Sequence, residues 1–347
     1  MQIQTLLGME LPIIQAPMAG VQNSALAIAV SNAGGLGSLP CAMLNAEALR
    51  AELDTIKAKL TPGRPFNLNF FCHPTPAGDT NKAAAWQALF APYYAEWGIN
   101  PAQVPWATSR MPFNRDMAAL VCAYRPAVVS FHFGLPAPEL LQMVRSTGAK
   151  IISSATTVTE ALWLEERGVD AIIAQGLEAG GHRGMFLSED LSSQMGSLAL
   201  WPQVVKAVKV PVIAAGGIAD AAGVRAALAL GAAGVQVGTA YLLCPEATTS
   251  SIHRAALKSP LAHTTTLTNV FSGRPARGMV NRLVRELGPI HPLAPTFPLA
   301  TAASAALRLK AECRGNGDFS PLWAGQNVSG CQEIPAAALT RALASGA

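Results

Sequence analysis

The sequence predicts an α/β fold: a (β/α)8 TIM barrel carrying a smaller, mostly helical cap. Three observations predict it. Eight short β-rich apolar runs recur, at 12–18, 35–40, 66–71, 128–134, 150–156, 171–176, 211–218 and 234–242, each followed by glycine, proline or polar residues and then a helix-like segment. Most of these runs are continuously apolar rather than alternating, as in parallel strands covered by helices. The glycines after the first run spell A-G-G-L-G, not G-x-G-x-x-G, which weakens the rival reading of an open doubly wound sheet.

The elements follow in order. Helical patterns at 24–32, 46–59, 138–147, 159–167 and 221–230 fill the gaps between strand runs. Two interruptions break the alternation. The stretch 74–126 is long for a strand–helix connection and carries Trp86, Tyr93, Tyr94, Trp97 and Trp106, so it reads as a helical excursion. Residues 246–319 follow the eighth run without repeating the pattern and read as the cap, with 322–326 returning to the barrel mouth. The expected division is therefore a barrel of 1–245 and 320–347 and a cap of 246–319.

Composition narrows the class. Of 347 residues, 50% are hydrophobic and 13% charged, enough apolar content for a large core and too much for disorder. The net charge of +4 is spread along the chain; its densest basic cluster, Arg274, Arg277, Arg282 and Arg285, reads as a solvated helix face or an anion contact rather than a nucleic-acid surface. Six scattered cysteines without metal-ligand spacing read as reduced, mostly buried thiols. No apolar run reaches the roughly 18 to 20 residues of a membrane helix, and the N-terminus lacks a signal-peptide pattern. A cytoplasmic protein is expected, with no nucleic-acid, membrane or metal partner, and with monomer and homodimer both open.

The chemistry-bearing segments lie where a barrel puts its functional groups, at the carboxyl ends of strands. The stretch 174–184, A-Q-G-L-E-A-G-G-H-R-G, packs four glycines around His182. Glycines let backbone approach a ligand closely, and a histidine there titrates near neutrality, so His182 is the candidate catalytic group on a flexible loop. The seventh strand ends A-A-G-G-I and the eighth holds Q-V-G-T. Backbone N–H groups of Gly216, Gly217, Gly238 and Thr239 offer a phosphate cradle, helped by a helix N-terminus at Asp220; the bland alternative is tight turns. Asn67 and Asn69 share a face of the third strand and need hydrogen-bond partners, from a planar heterocycle or a structural network. Gln175 and Gln236 add similar amides. His132, inside an apolar strand, is either a satisfied core residue or a substrate contact. His73, His253, His263 and His291 carry no signal beyond packing.

Together these segments resemble the nitronate monooxygenases, formerly called 2-nitropropane dioxygenases, and their class I branch most. The resemblance runs over nearly the whole chain and is carried by I-I-Q-A-P-M-A-G (13–20), A-V-S-N-A-G-G-L-G (29–37), F-N-L-N-F-F, V-S-F-H-F-G-L-P, A-Q-G-L-E-A-G-G-H-R-G, F-S-G-R-P-A-R-G (271–278) and W-A-G-Q (323–326). Single pieces are unspecific, E-A-G-G-H being shared with FMN-dependent enoyl reductases; all in this order are specific. The resemblance implies non-covalent FMN with its phosphate at Gly217 and the run Gln236, Val237, Gly238 and Thr239. It implies Met18, Asn69, Gln175, Gly180 and Gly181 along the flavin and Gln326 near its ring, His182 as base or substrate-orienting group, and His132 close to the substrate. The implied reaction is detoxifying oxidation of nitronates such as propionate 3-nitronate by molecular oxygen to a carbonyl compound and nitrite. The flavin carries the electron chemistry and the protein supplies orientation, water exclusion and electrostatics. A protonated His182 would attract the nitronate, whereas a neutral one would take the α-proton of a nitroalkane. The rivals are an NAD(P)H-dependent FMN reductase of quinones or enoyl thioesters and a non-catalytic flavin-binding protein.

Overall fold

In the computed structural model, which describes residues 2–76, 78–104 and 110–347, eight parallel strands form the predicted barrel; Trp106 lies outside the described residues. The strands are β1 (Ile13–Gln15), β2 (Gly37–Pro40), β3 (Phe66–Phe71), β4 (Val128–His132), β5 (Lys150–Ala155), β6 (Ala171–Gln175), β8 (Val212–Ala215) and β9 (Gly234–Val237). A two-residue strand, β7 (Gly181–His182), falls between the sixth and seventh barrel strands. Each barrel strand pairs with its neighbour in parallel register, and β1 also pairs with β9. The ring closes through a bridge between Ile14 and Leu36, where Gln15 N donates to Leu36 O at 3.0 Å and Leu36 N to Ile13 O at 2.9 Å.

The strands are nearly all buried because both faces are covered. Outward residues such as Leu39, Leu68, Val129, Ile172 and Val237 pack under the surrounding helices. Inward residues Ile14, Leu36, Val128, Ile152, Ile173 and Ile213 fill the barrel floor with Ile3 and Leu7 of the short N-terminal helix Ile3–Leu7. The outer helices begin at side-chain caps that satisfy free N–H groups: Asn45 accepts from Ala48 N, Asn114 from Met117 N, Thr157 from Glu160 N. The C-terminal helix Ala336–Ala344 completes the outer layer, burying Ala336, Leu339 and Leu343 in the same cluster.

The cap differs from the expectation in two respects. It contains an antiparallel pair, β10 (Thr265–Thr268) and β11 (Ala276–Met279), besides the helices Ser251–Leu257, Arg282–Leu287 and Thr301–Glu312. Its core also reaches into the early excursion: Trp86, Phe90, Tyr93 and Tyr94 pack with Ala300, Ala303, Leu307 and Phe319. Two polar groups seal this joint, Trp86 Nε1 donating to Ala300 O at 3.2 Å and Tyr94 Oη to Ala303 O at 2.7 Å. The second half of the excursion, helix Arg115–Tyr124, belongs instead to the barrel wall.

Candidate active site

The carboxyl ends of the barrel strands open into one large cavity beneath the cap. Its free space, open mouth included, is about 1330 Å³. Met18, Asn69, His132, Gln175, Gly180, Gly181, His182, Gly216, Gly217, Gln236, Gly238 and Thr239 line it. Two expected residues do not. Val237 is buried in the outer core, because alternate strand residues point away from the barrel axis. Gln326 has an exposed side chain, although its neighbours Gly325 and Asn327 line the cavity; its backbone N–H donates to Glu178 O at 3.0 Å.

His182 sits on a pinned element rather than a flexible loop. Strand β7 pairs antiparallel with β11, setting His182 opposite Ala276 and Gly181 opposite Arg277. Behind it, the fully buried Arg183 donates to Gly176 O and Gln175 O, both at 2.7 Å, and to Gln194 Oε1 at 3.0 Å. Gln175 clamps the same turn: its Nε2 donates to His182 O at 3.0 Å and its Oε1 accepts from Gly184 N at 2.7 Å. One donor and one acceptor position of that amide are thus committed to the protein.

His132 has the same occupation. Its Nε2 faces His182 O at 3.2 Å, and since a carbonyl only accepts, this nitrogen carries the proton. Its Nδ1 then accepts from Ser154 Oγ at 3.1 Å. Burial pushes its pKa down to about 4, so it is neutral. Of the two readings, core residue or substrate contact, the hydrogen bonds favour the first: the ring touches the cavity, but Nε2 holds the His182 turn and Nδ1 is anchored to β5 through Ser154.

The ring of His182 is enclosed by Phe297 at 5.2 Å, Trp323 at 5.6 Å, Phe133 at 6.1 Å and Phe71 at 6.2 Å between centroids. Burial, followed by the charge of Arg110, holds its pKa well below the ordinary histidine range. The neutral ring therefore prevails at physiological pH. Its Nε2 lies 2.8 Å from Ser272 Oγ, whose hydroxyl donates onward to Arg274 O at 3.2 Å. With that single proton committed, His182 Nε2 is the donor and Nδ1 keeps the free lone pair.

The amides of β3 resolve differently. Asn67 Nδ2 donates to Ser38 Oγ and Ser130 Oγ, each at 2.9 Å, and Asn69 Nδ2 to Ser130 Oγ at 2.9 Å. A structural network thus takes their donors, and Asn69 alone of the two reaches the cavity. Gln236 Oε1 is buried with no partner among the described residues, an acceptor waiting for a ligand donor. At the other end, Gly216 (φ 112°) and Gly217 (φ 74°) occupy the left-handed region that favours glycine. The return segment stitches this end shut, with Gly325 N donating to Thr239 Oγ1 at 2.9 Å and Asn327 Nδ2 to Gly217 O at 3.1 Å. The expected helix N-terminus is not part of the wall: Asp220 caps its own helix at Gly223 N, 2.8 Å away.

Sequence reasoning missed Arg110, Ser272, Trp323 and His253. Ser272 and Trp323 lie inside segments that stood out, and only pairing with β7 gives them meaning. Arg110 follows no periodic pattern. His253 lines the cavity with Nε2 unpartnered among the described residues, which its helical surroundings do not signal. The basic cluster splits: Arg277 is buried with Nε donating to Leu177 O at 2.9 Å, Arg274 lies 4.1 Å over the Phe133 ring and donates to Met185 O, and Arg282 pairs with Glu96 and Glu286 at the surface.

Fold and cavity together define a barrel enzyme whose neutral histidine overlooks a deep ligand site at the strand ends. A family model described as nitronate monooxygenase matches residues 2–346. A nitronate monooxygenase of Pseudomonas aeruginosa is 44% identical over 341 residues, 97% of this chain and 96% of its own, and one of Paraburkholderia phytofirmans is 42% identical over 97% and 92%. The crystal structure of a nitroalkane oxidase from Streptomyces ansochromogenes superposes with a TM-score of 0.90 at 38% identity, covering 99% of this chain and 97% of that one. FabK from Thermotoga maritima follows at 0.73 and 26%, covering 99% and 94%. The chain belongs to the nitronate monooxygenase family. It is an oxidoreductase of a flavin-dependent kind that oxidises nitronates. Among the described residues no helix is long and apolar enough to cross a membrane.

Proposed function

We propose that the protein binds FMN and uses it to oxidise small alkyl nitronates, propionate 3-nitronate among them, with molecular oxygen, yielding a carbonyl compound and nitrite and so disposing of a toxic anion. The observation that carries this reading is the neutral His182, held by β11, Gln175, His132 and Ser272 with Nδ1 free at the cavity wall.

The residues present fit FMN. The buried Gln236 Oε1 lacks a donor, and a Cβ at Gly181 would meet nothing within 4 Å, so that wall stands open to a planar ligand. Gly216, Gly217, Gly238 and Thr239 would hold the phosphate through backbone N–H groups, with Met18, Asn69, Gly180 and Gly181 along the flavin and Gln236 near a donor of its ring system. Bound there, the flavin would accept electrons from the substrate and pass them to oxygen. The chain's own residues do the rest. His182 Nδ1 takes the α-proton when the substrate arrives as a neutral nitroalkane, and for a preformed nitronate the same ring only orients it. Phe71, Phe133, Phe297 and Trp323 exclude water around the reacting carbon. Gln175 and His132 act as positioning residues, since they touch the His182 carbonyl and not the proton in transit.

Mixing FMN-loaded protein with propionate 3-nitronate under air, while following oxygen and nitrite, tests the reading. Oxygen uptake with nitrite release is the expected result. No nitrite, with rapid oxidation of NADH or NADPH by a quinone instead, would replace it by the flavin-reductase reading.

A further inference from the structure

Arg110 has figured so far only through its charge, which helps keep His182 neutral, yet it lines the same cavity as His182. Its Nη1 is buried without a hydrogen-bond partner among the described residues, and among those residues no carboxylate forms an ion pair with it. A guanidinium left unpaired away from water is unfavourable, and buried charges are as a rule matched by a counter-charge or hydrogen bonds. Its carbon lies 5.6 Å from the centroid of Phe297, the ring that also packs against His182 at 5.2 Å. Arg110 and His182 therefore both pack on one phenylalanine and line the same cavity. The nearby cations aggravate the imbalance: Arg308, on the cap helix, lowers the Arg110 pKa alongside burial. Glu178 also lines the cavity, but it is engaged by Ser197 N and Oγ at 2.8 and 2.6 Å, behind the glycines of the phosphate end.

We propose that Arg110 is a specificity-determining residue that binds a second anionic group of the substrate, a carboxylate, so that the site selects nitronates carrying an acid at the end remote from the reacting carbon. The planar, five-donor guanidinium matches a carboxylate in a two-point fork. The nitronate carbon then faces His182, and the acid end spans past Phe297 to the free Nη1. This rests on the nitronate-oxidising reading of the cavity and adds to it which nitronate the cavity prefers.

The test compares kcat/KM for propionate 3-nitronate and for propyl nitronate, which lacks the acid, in wild-type holoenzyme and in R110M and R110K. A wild-type preference for the carboxylated substrate that collapses by about 30-fold in R110M, and less in R110K, is expected from losing one charge-assisted contact. Inhibition of propyl nitronate oxidation by butanoate, an unreactive carboxylate, supplies a second readout: it should weaken by a similar factor in R110M. An unchanged preference in R110M, or equal losses on both substrates with butanoate inhibition retained, would overturn the proposal. If wild-type enzyme oxidises both nitronates without preference, only the Arg110 inference falls; if it oxidises neither, the nitronate reading itself falls.

Discussion

The proton on His182 is placed by its protein neighbours Ser272, Arg274 and Arg110. Ser272 accepts at Nε2, the Ser272 hydroxyl is committed to Arg274 O, and burial with nearby Arg110 keeps the second nitrogen unprotonated. A base whose pKa is depressed remains competent at lower pH than an ordinary histidine. Turnover of a neutral nitroalkane should therefore lack an acid limb near pH 6.5 and fall only well below it, which a kcat/KM profile from pH 5 to 8 checks; a limb centred at 6.5 would contradict the neutral, desolvated ring. The sequence shows His182 itself plainly, because four glycines around one histidine leave little else to read. It does not show the partners that decide its protonation, since Ser272 and Arg110 lie 90 and 72 positions away and meet it only through the cap.

At the scale of elements, the turn from β6 through β7 works as a clamp between barrel and cap. Gly180 passes so close to the return segment that a Cβ would sit 2.5 Å from Gly325 N and 2.6 Å from Ala324 C. Both are backbone atoms, so relief requires moving a chain segment rather than rotating a side chain. Gly180→Ala should cost about 1–3 kcal/mol of stability and weaken flavin retention by roughly tenfold or more, measured by the flavin fluorescence released on dialysis. Retention equal to wild type would show that the close approach is dispensable. Strand positions were readable here because buried parallel strands are apolar throughout, and all eight runs contain a barrel strand. The pairing of β7 with β11 was not, because two residues carry no periodicity and the partner comes from the cap. Asn67 and Asn69 show the same limit: period two put them on one face, but only register with β2 and β4 reveals Ser38 and Ser130 as their partners.

Across the whole molecule, burial of neutral histidines couples stability to pH. His73, His132 and His253 each have pKa values lowered to about 4, chiefly by burial. The unfolded chain binds protons at these sites near pH 6.5 while the native state refuses them until about 4. Their contribution is thus fully present above pH 6.5 and lost as the pH falls from 6.5 toward 4. The urea midpoint should be clearly lower at pH 5 than at pH 7.5, a window above the ordinary carboxylate range; equal midpoints would mean that these rings are solvated. Barrel and cap were both legible from the alternation of elements and its two interruptions. The shared core of residues 80–104 with the cap was not, since aromatic residues such as Trp86 and Tyr94 announce burial without naming what covers them. The central claim is that a neutral His182 serves as base in a flavin site, and its most direct test is His182→Asn, FMN-loaded, assayed for nitrite with a nitroalkane and with its preformed nitronate. The account predicts a loss of at least about a hundredfold on the nitroalkane and a much smaller one on the nitronate, which needs no base. Equal losses on both would contradict it.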